Sequence, residues 1–278
     1  MTGSKIMHKS EISNPVAEAF SRKSTVYDQF GEHHDNLTRM RQRVYAAVTR
    51  HLPKNAHLLE INAGTGLDAA ALLHLQKDVT VHATDLADGM IEAIQTKIKT
   101  QRLTGRLTAQ QLSFTQLDQV ENGPFDAVYS NFGGLNCIED LSTVTTYLPK
   151  ILRPGGVAVW VIMPPICPWE MSLFFKDWRV ATRRLRKNGV IANVEGVDFR
   201  TWYFTAGRVI RDFGPQFECI GLEGLSVVTP TADNKTFAVK HPTFFERLVQ
   251  IDETISGIWP FNRMGDFFIL TMKRKTNA

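Results

Sequence analysis

Residues 57–67 read His-Leu-Leu-Glu-Ile-Asn-Ala-Gly-Thr-Gly-Leu, and this stretch decides the fold. Leu58, Leu59 and Ile61 form an apolar run that stops at Asn62-Ala63-Gly64-Thr65-Gly66, and a helical pattern opens at Leu67. A buried strand that breaks into a glycine turn and then opens a helix is a nucleotide-binding arrangement. Glycine lets the backbone approach a ligand closely, and the free N–H groups of a helix start face an anion.

Strand and helix patterns alternate outward from this turn. Upstream, Val16 and Phe20, then Met40, Val44, Val48 and Leu52, recur at helical steps and predict one or two amphipathic helices over 15–52. Downstream come a helix over 68–76, a strand over 79–84 ending at Asp85, and a helix over 89–103 with Asp88 as its N-cap. A weaker strand (107–112), a clear one (125–130), a helix (139–152), a Pro154-Gly155-Gly156 turn and a nearly all-apolar strand (157–163) follow. Strands this apolar belong inside a parallel sheet covered on both faces. The regularity lapses at Pro164. A basic helical stretch leads to extended-looking residues 190–203, then a helix (206–213), a strand (217–228), a helix (242–255) and a last strand (266–272).

The expectation is a doubly wound α/β fold, a Rossmann-like seven-stranded mixed sheet with helices on both faces. Residues 1–14 read as a disordered tail and 15–278 as a single domain. Within it, 15–52 form a helical cap, 53–163 the nucleotide-binding core, 164–204 a lid inserted after strand 5, and 205–278 the elements that complete the sheet.

Composition narrows the class. Of 278 residues, 43% are hydrophobic and 22% charged, which permits a sizeable core. No apolar run approaches the roughly 20 residues of a membrane span, and the N-terminus lacks the apolar segment of a secretory signal. Cys137, Cys167 and Cys219 are odd in number and far apart, with no CxxC. That argues against a disulfide framework or a metal site and for a reducing, cytoplasmic setting. The net charge of +4 is too mild to call for nucleic acid. Oligomeric state leaves no signal.

Gly64-Thr65-Gly66-Leu67-Asp68-Ala69 satisfies the GxGxx(G/A) dinucleotide fingerprint, and Asp85 ends the next strand, where a carboxylate can accept both ribose hydroxyls. Glu60 discriminates between ligands. A carboxylate beside the turn repels a pyrophosphate but suits the ammonium and sulfonium of S-adenosylmethionine (SAM).

Taken in order, these segments resemble the class I SAM-dependent methyltransferases. LLEINAGTG is similar to that family's first motif and VTVHATDLADGMIEAI to its second. FDAVYSNFGGLN followed by LPKILRPGGVAVWVI resembles its fourth strand, helix and fifth strand, and AFSRKSTVYDQF its N-terminal cover. Asn62 departs from the usual glycine, although asparagine tolerates a left-handed backbone. The resemblance implies that Glu60, Asn62, Ala63, Gly64 and Gly66 surround the methionine part of SAM and that Asp85 holds the ribose. It implies Leu86 and Met90 beside the adenine, Leu112 and Ser113 at its edge, Asn131 and Phe132 below the sulfonium, and Tyr27 closing over the cofactor.

SAM carries its own leaving group, so aligning a nucleophile behind the methyl supplies much of the rate. A base is needed only for an acceptor that must lose a proton, and His33, His34, Asp28 and Glu170 are the candidates. The NFGG turn differs from the NPPY-like turn of amino-group methylation on bases, and Cys167-Pro168 reverses the Pro-Cys pair of cytosine-C5 chemistry. A small-molecule acceptor remains, apolar or aromatic, methylated on oxygen or carbon by in-line displacement.

In the insertion, Phe174, Trp178, Ala181 and Leu185 fall on one helix face, while Lys176, Arg179, Arg183 and Arg186, broadened by Arg184 and Lys187, form a basic stripe. This predicts a lid helix, with peripheral membrane contact through 176–187 as its sharper form and a lipid-like acceptor to match. Trp169, Phe174, Phe175, Trp202, Tyr203 and Phe204 are candidates for an acceptor pocket or for the core. Two other readings stand beside this one. An NAD(P)-dependent oxidoreductase loses on Glu60 and on the absence of a Tyr-x-x-x-Lys pair. A catalytically silent SAM-binding module would need a dismantled turn, and RNA methylation would rest on the basic stripe and tail alone.

Overall fold

A computed structural model describes residues 14–25, 27–30 and 34–276. The strands are β1 (His57–Ile61), β2 (Thr80–Asp85), β3 (Leu107–Gln111), β4 (Phe125–Ser130), β5 (Leu152–Ile162), β6 (Val190–Val194), β7 (Val197–Thr201), β8 (Phe217–Leu225) and β9 (Phe267–Arg274). Seven of them form one mixed sheet in the order β3-β2-β1-β4-β5-β9-β8. The first five are parallel, β9 is antiparallel to β5, and β8 is antiparallel to β9.

A side-chain period of two fills both faces. Leu58, Ala127, Tyr129, Val157 and Val159 pack on one side of the sheet, and Leu59, Ile61, Val128, Ala158 and Trp160 on the other. The first side is covered by α3 (Asp35–Thr49), α4 (Leu67–Leu75) and α5 (Asp88–Thr100), which follow the short α1 (Pro15–Lys23) and α2 (Tyr27–Phe30). Met40, Val44 and Val48 form the buried stripe of α3 that their spacing predicts. The chain leaves β1 toward β2 and β3 and returns to β4 on β1's other side. The loops after β1 and β4 therefore diverge, which opens a crevice at this switch point. Among the described residues, no helix is long and apolar enough to cross a membrane.

Several elements differ from their sequence expectation. Asn14, counted with the tail, caps α1 by accepting from the Val16 N–H at 3.0 Å, and residues 1–13 lie outside the described residues. Ala87, not Asp88, is the N-cap of α5; the Asp88 carboxylate accepts from Ser21 Oγ and so ties α5 to α1. The helix expected over 139–152 is two short pieces, Ser142–Thr145 and Leu148–Ile151. Pro149 cannot donate to a preceding carbonyl, so it sits in the first turn of a new helix instead. Residues 154–156 lie inside β5, which pairs with Phe125 before a register shift.

The largest difference is the insertion. The basic helix shrinks to Trp178–Thr182 and a 3-10 turn, Arg183–Leu185. Of its predicted apolar face only Ala181 is buried, and Phe174, Trp178 and Leu185 are exposed. Two adjacent arginines that converge on one buried carboxylate, described below, override the apolar period. The extended residues that follow form a hairpin, β6–β7, closed by Glu195 (φ 50°) and Gly196 (φ 78°). Two successive left-handed residues are what a two-residue turn between twisted strands requires.

Candidate active site

The crevice contains a cavity of about 920 Å³. Its floor is made by the ends of β1, β2 and β4. Gly64 has a left-handed backbone (φ 57°) that turns its N–H onto Asp85 Oδ2 at 2.8 Å, while Oδ1 of the same carboxylate accepts from the Ala87 N–H at 2.9 Å. Burial raises the Asp85 pKa, and these two backbone donors oppose the rise. Asn62 is also left-handed (φ 49°). Its Oδ1 accepts from Ser130 Oγ at 2.7 Å and its Nδ2 donates to the Asn131 carbonyl at 3.4 Å, so the side chain joins the turn after β1 to the turn after β4. Gly134 leaves room for it, since a Cβ there would lie 2.3 Å from Asn62 Nδ2.

Asn131 follows β4 and is 8% exposed, yet neither its Nδ2 nor its Oδ1 has a hydrogen-bond partner. A buried amide with both ends open is costly unless a ligand or water completes it. Asn62, Gly64, Asp85, Leu86, Ser113, Asn131 and Phe132 line the cavity, as does Tyr27, whose ring would lie 3.7 Å from a Cβ on Gly64. Burial pushes the Tyr27 phenol up to about 12, so it stays protonated.

Five residues expected at the cofactor do not line the cavity. Glu60 is fully buried and accepts from the Tyr129 hydroxyl at 3.0 Å. Burial, with the charge of Asp68 added, holds its pKa well above the usual carboxylate range, against the Tyr129 hydrogen bond and the Arg41 guanidinium. It belongs to a network behind the floor, in which Arg41 and the Tyr45 hydroxyl both bond Asp68 and Arg41 lies 5.0 Å over the Phe132 ring. Gly66 (φ 70°) opens α4 against Ile94, and Ala63, Met90 and Leu112 pack into the core.

The expected bases are committed elsewhere. His34 caps α3 through the Leu37 N–H, and its Nε2 lies 2.7 Å from the Ala232 carbonyl. Asp28 accepts from Thr65 Oγ1 and pairs with Lys97 at 2.6 Å. Glu170 accepts from Arg183 at 2.6 and 2.9 Å and from Arg184 at 2.6 Å. Burial raises its pKa, but the two arginines outweigh that and hold it below the ordinary range. His33 lies outside the described residues.

Sequence reasoning missed most of the roof. The β6–β7 hairpin and α1 cover the cavity, meeting through Phe20 and Phe199 at 5.9 Å and through Arg22, which donates to the Glu195 carbonyl at 3.4 Å. Arg184, 5% exposed, bridges Glu170 and Asp266 at 2.6 and 2.7 Å and lies 5.4 Å over Tyr203. It lines the cavity together with Tyr203, Arg186 and Asp266. Cys167, Glu170 and Asp266 come together here as a metal site would, but the arginines already match the carboxylates. Of the six candidate aromatics only Tyr203 reaches the cavity. Phe204 is core, Trp202 packs against it, Trp169 meets Phe237 edge-on, and Phe174 and Phe175 face solvent. Cys137 also lines the cavity, and burial pushes its thiol up to about 12, which leaves it un-ionised.

Comparison with known proteins agrees with this geometry. A methyltransferase domain model matches residues 58–156. A demethylmenaquinone methyltransferase of Leptospira interrogans is 25% identical over 166 residues, 58% of this chain and 66% of that protein, just under two thirds of the relative's length. A malonyl-[acyl-carrier protein] O-methyltransferase of Halorhodospira halophila is 26% identical over 203 residues, 67% of each chain. In fold, the chain is similar to the 1,6-didemethyltoxoflavin-N1-methyltransferase of Burkholderia thailandensis, solved with 1,6-didemethyltoxoflavin and S-adenosylhomocysteine bound (TM-score 0.58, 14% identity, 99% of this chain and 93% of that one). With the glycine turn, the carboxylate after β2 and the open amide after β4 around one crevice, residues 58–156 carry a methyltransferase domain, and the chain is similar in sequence and fold to SAM-dependent methyltransferases.

Proposed function

We propose that this protein transfers the methyl group of SAM to an apolar or aromatic small molecule held between the floor and the hairpin roof. The observation that carries the reading is the pair Asp85 and Asn131: a carboxylate and an unpartnered amide on the walls of one cavity. The residues present fit the cofactor. Asp85 would accept the ribose hydroxyls, Leu86 and Ser113 would border the adenine, and Asn62, Gly64 and Tyr27 would border the methionine part. When bound, SAM supplies a methyl group made electrophilic by its sulfonium.

The chain's own contribution is positioning. Asn131 offers a donor and an acceptor with no internal partner. Phe132, edge-on to Phe267 at 5.6 Å, gives an apolar wall, and α1 with the hairpin excludes water. Tyr203, whose phenol burial raises, remains a hydrogen-bond donor. Among the described residues the expected bases are engaged in ion pairs or caps, so an acceptor that is already nucleophilic at the working pH suits this pocket. The volume, near the upper end of the roughly 300–1,000 Å³ of ligand pockets, leaves room for cofactor and acceptor together.

Thermal melting tests the reading. SAM at 100 times its Kd should stabilise the protein by about 2.7 kcal/mol, and NADH should not. In Asp85→Ala the SAM effect should disappear, because two charge-assisted hydrogen bonds are worth about 3 kcal/mol or more together. Protection by NADH, or none by SAM, would overturn it.

A further inference from the structure

We propose that an exposed aromatic surface made by residues 171–185 and 237–244 docks this protein onto an anionic lipid bilayer beside the opening of the cavity. The surface is apolar where a protein surface is ordinarily not. Phe175 is 99% exposed, Val239 73% and Trp178 59%, and Met171, Phe174 and Phe244 are exposed around them. Scattered exposed apolar residues are normal, but a cluster this large marks a contact. The two segments adjoin: Trp169, two residues before the first, meets Phe237 edge-on at 5.0 Å, and Phe237 lies 6.0 Å from Phe244.

Charge selects the occupant. Lys176, Arg179, Arg186, Lys187 and Lys240 form no ion pair among the described residues. The single acid within 171–187, Asp177, accepts from the backbone N–H groups of Arg179 and Val180, and across the surface Glu246 pairs with Arg39. A ring with almost all of its area in water stands proud of the surface, a shape for insertion rather than for receiving a partner's helix. Aromatic tips flanked by long basic side chains match the bilayer interface, where the rings enter the headgroup region and the cations meet anionic phosphates.

Placement supplies the functional link. Arg186 and Ile191 are exposed and also line the cavity, so the opening lies next to Leu185 at the edge of the surface. An apolar acceptor would then pass from bilayer to pocket without crossing bulk water. Docking itself does not depend on the acceptor's identity, so the two proposals fail separately.

The test is cosedimentation of the full chain with vesicles of phosphatidylcholine alone or mixed with phosphatidylserine, at low and high salt. Binding is expected to the mixed vesicles and to weaken with salt. Phe175→Ser with Trp178→Ser should lower the partition coefficient about tenfold, and Lys176→Glu with Arg179→Glu about fivefold for each cation lost. None of these residues lines the cavity, so melting temperature and SAM binding should be unchanged. No binding to mixed vesicles at low salt would overturn the proposal, as would equal binding by the variants. A concentration-dependent dimer in ultracentrifugation that Phe175→Ser abolishes would assign the surface to a second copy instead and equally overturn it.

Discussion

The floor and the roof of the cavity are ordered by different means. On the floor, Asn62, Gly64, Asp85 and Asn131 are set by the turns in which they sit, at the ends of adjacent parallel strands. In the roof, α1 meets a hairpin 173 residues away in sequence, and the segment beneath is fixed by the buried Glu170, Arg184 and Asp266 together with the half-exposed Arg183. Local turns set the floor and long-range ion pairs set the cover, so a substitution in one can leave the other in place.

The strongest way to break this division is Glu170→Gln. It leaves Arg184 buried with one carboxylate fewer, and removing one partner of a buried pair costs about 3–5 kcal/mol. Urea unfolding at neutral pH should show that loss while cofactor affinity, measured by titration, is retained; loss of both would mean that roof and floor are one unit. Because the folded Glu170 pKa lies below its unfolded value, its contribution is present above the unfolded pKa and lost as pH falls through the folded one. The gap between wild type and variant should therefore close in acid.

Asn131→Ala probes the opposite case. Both polar atoms of this amide lack an internal partner, so stability should change by less than about 0.5 kcal/mol. Affinity for S-adenosylhomocysteine or acceptor should fall about tenfold, the worth of one hydrogen bond or slightly more. A large drop in melting temperature with unchanged binding would reassign Asn131 to the framework.

The last test is Glu60→Gln, behind the floor. Burial raises the Glu60 pKa, so above its ordinary value the unfolded chain releases a proton that the folded chain keeps, and stability falls as pH rises. Glutamine can still accept from Tyr129 and has no proton to lose. The variant should gain on wild type as pH rises above the ordinary carboxylate range, as read by melting temperature. A gap that does not move with pH would show that Glu60 stays ionised.

The sheet, its order of elements and most of the floor were legible because each rests on local rules: period-two burial, glycine at a left-handed turn, a carboxylate at a strand end. Glu60 was legible as special, but its direction was not, since a strand residue's face depends on which helix packs against it. The lid was misread because Phe174, Trp178, Ala181 and Leu185 keep a helical period that the Arg183–Glu170–Arg184 contacts do not respect. A signal for the hairpin was available in Glu195-Gly196 between the short runs Val190–Val194 and Val197–Thr201. Nothing local marked Arg184 as the buried member of a basic stripe, because its partner Asp266 is 82 residues away.

The contact between Asn62 and Gly134 also constrains the order in which this site can change. An alanine at 134 collides with the Asn62 side chain, whereas a glycine at 62 would remove all three of the atoms nearest to that Cβ. The two positions are therefore epistatic. A lineage passing from glycine to asparagine at 62 needs glycine at 134 beforehand, and one that already carries asparagine can enlarge 134 only after giving the amide up.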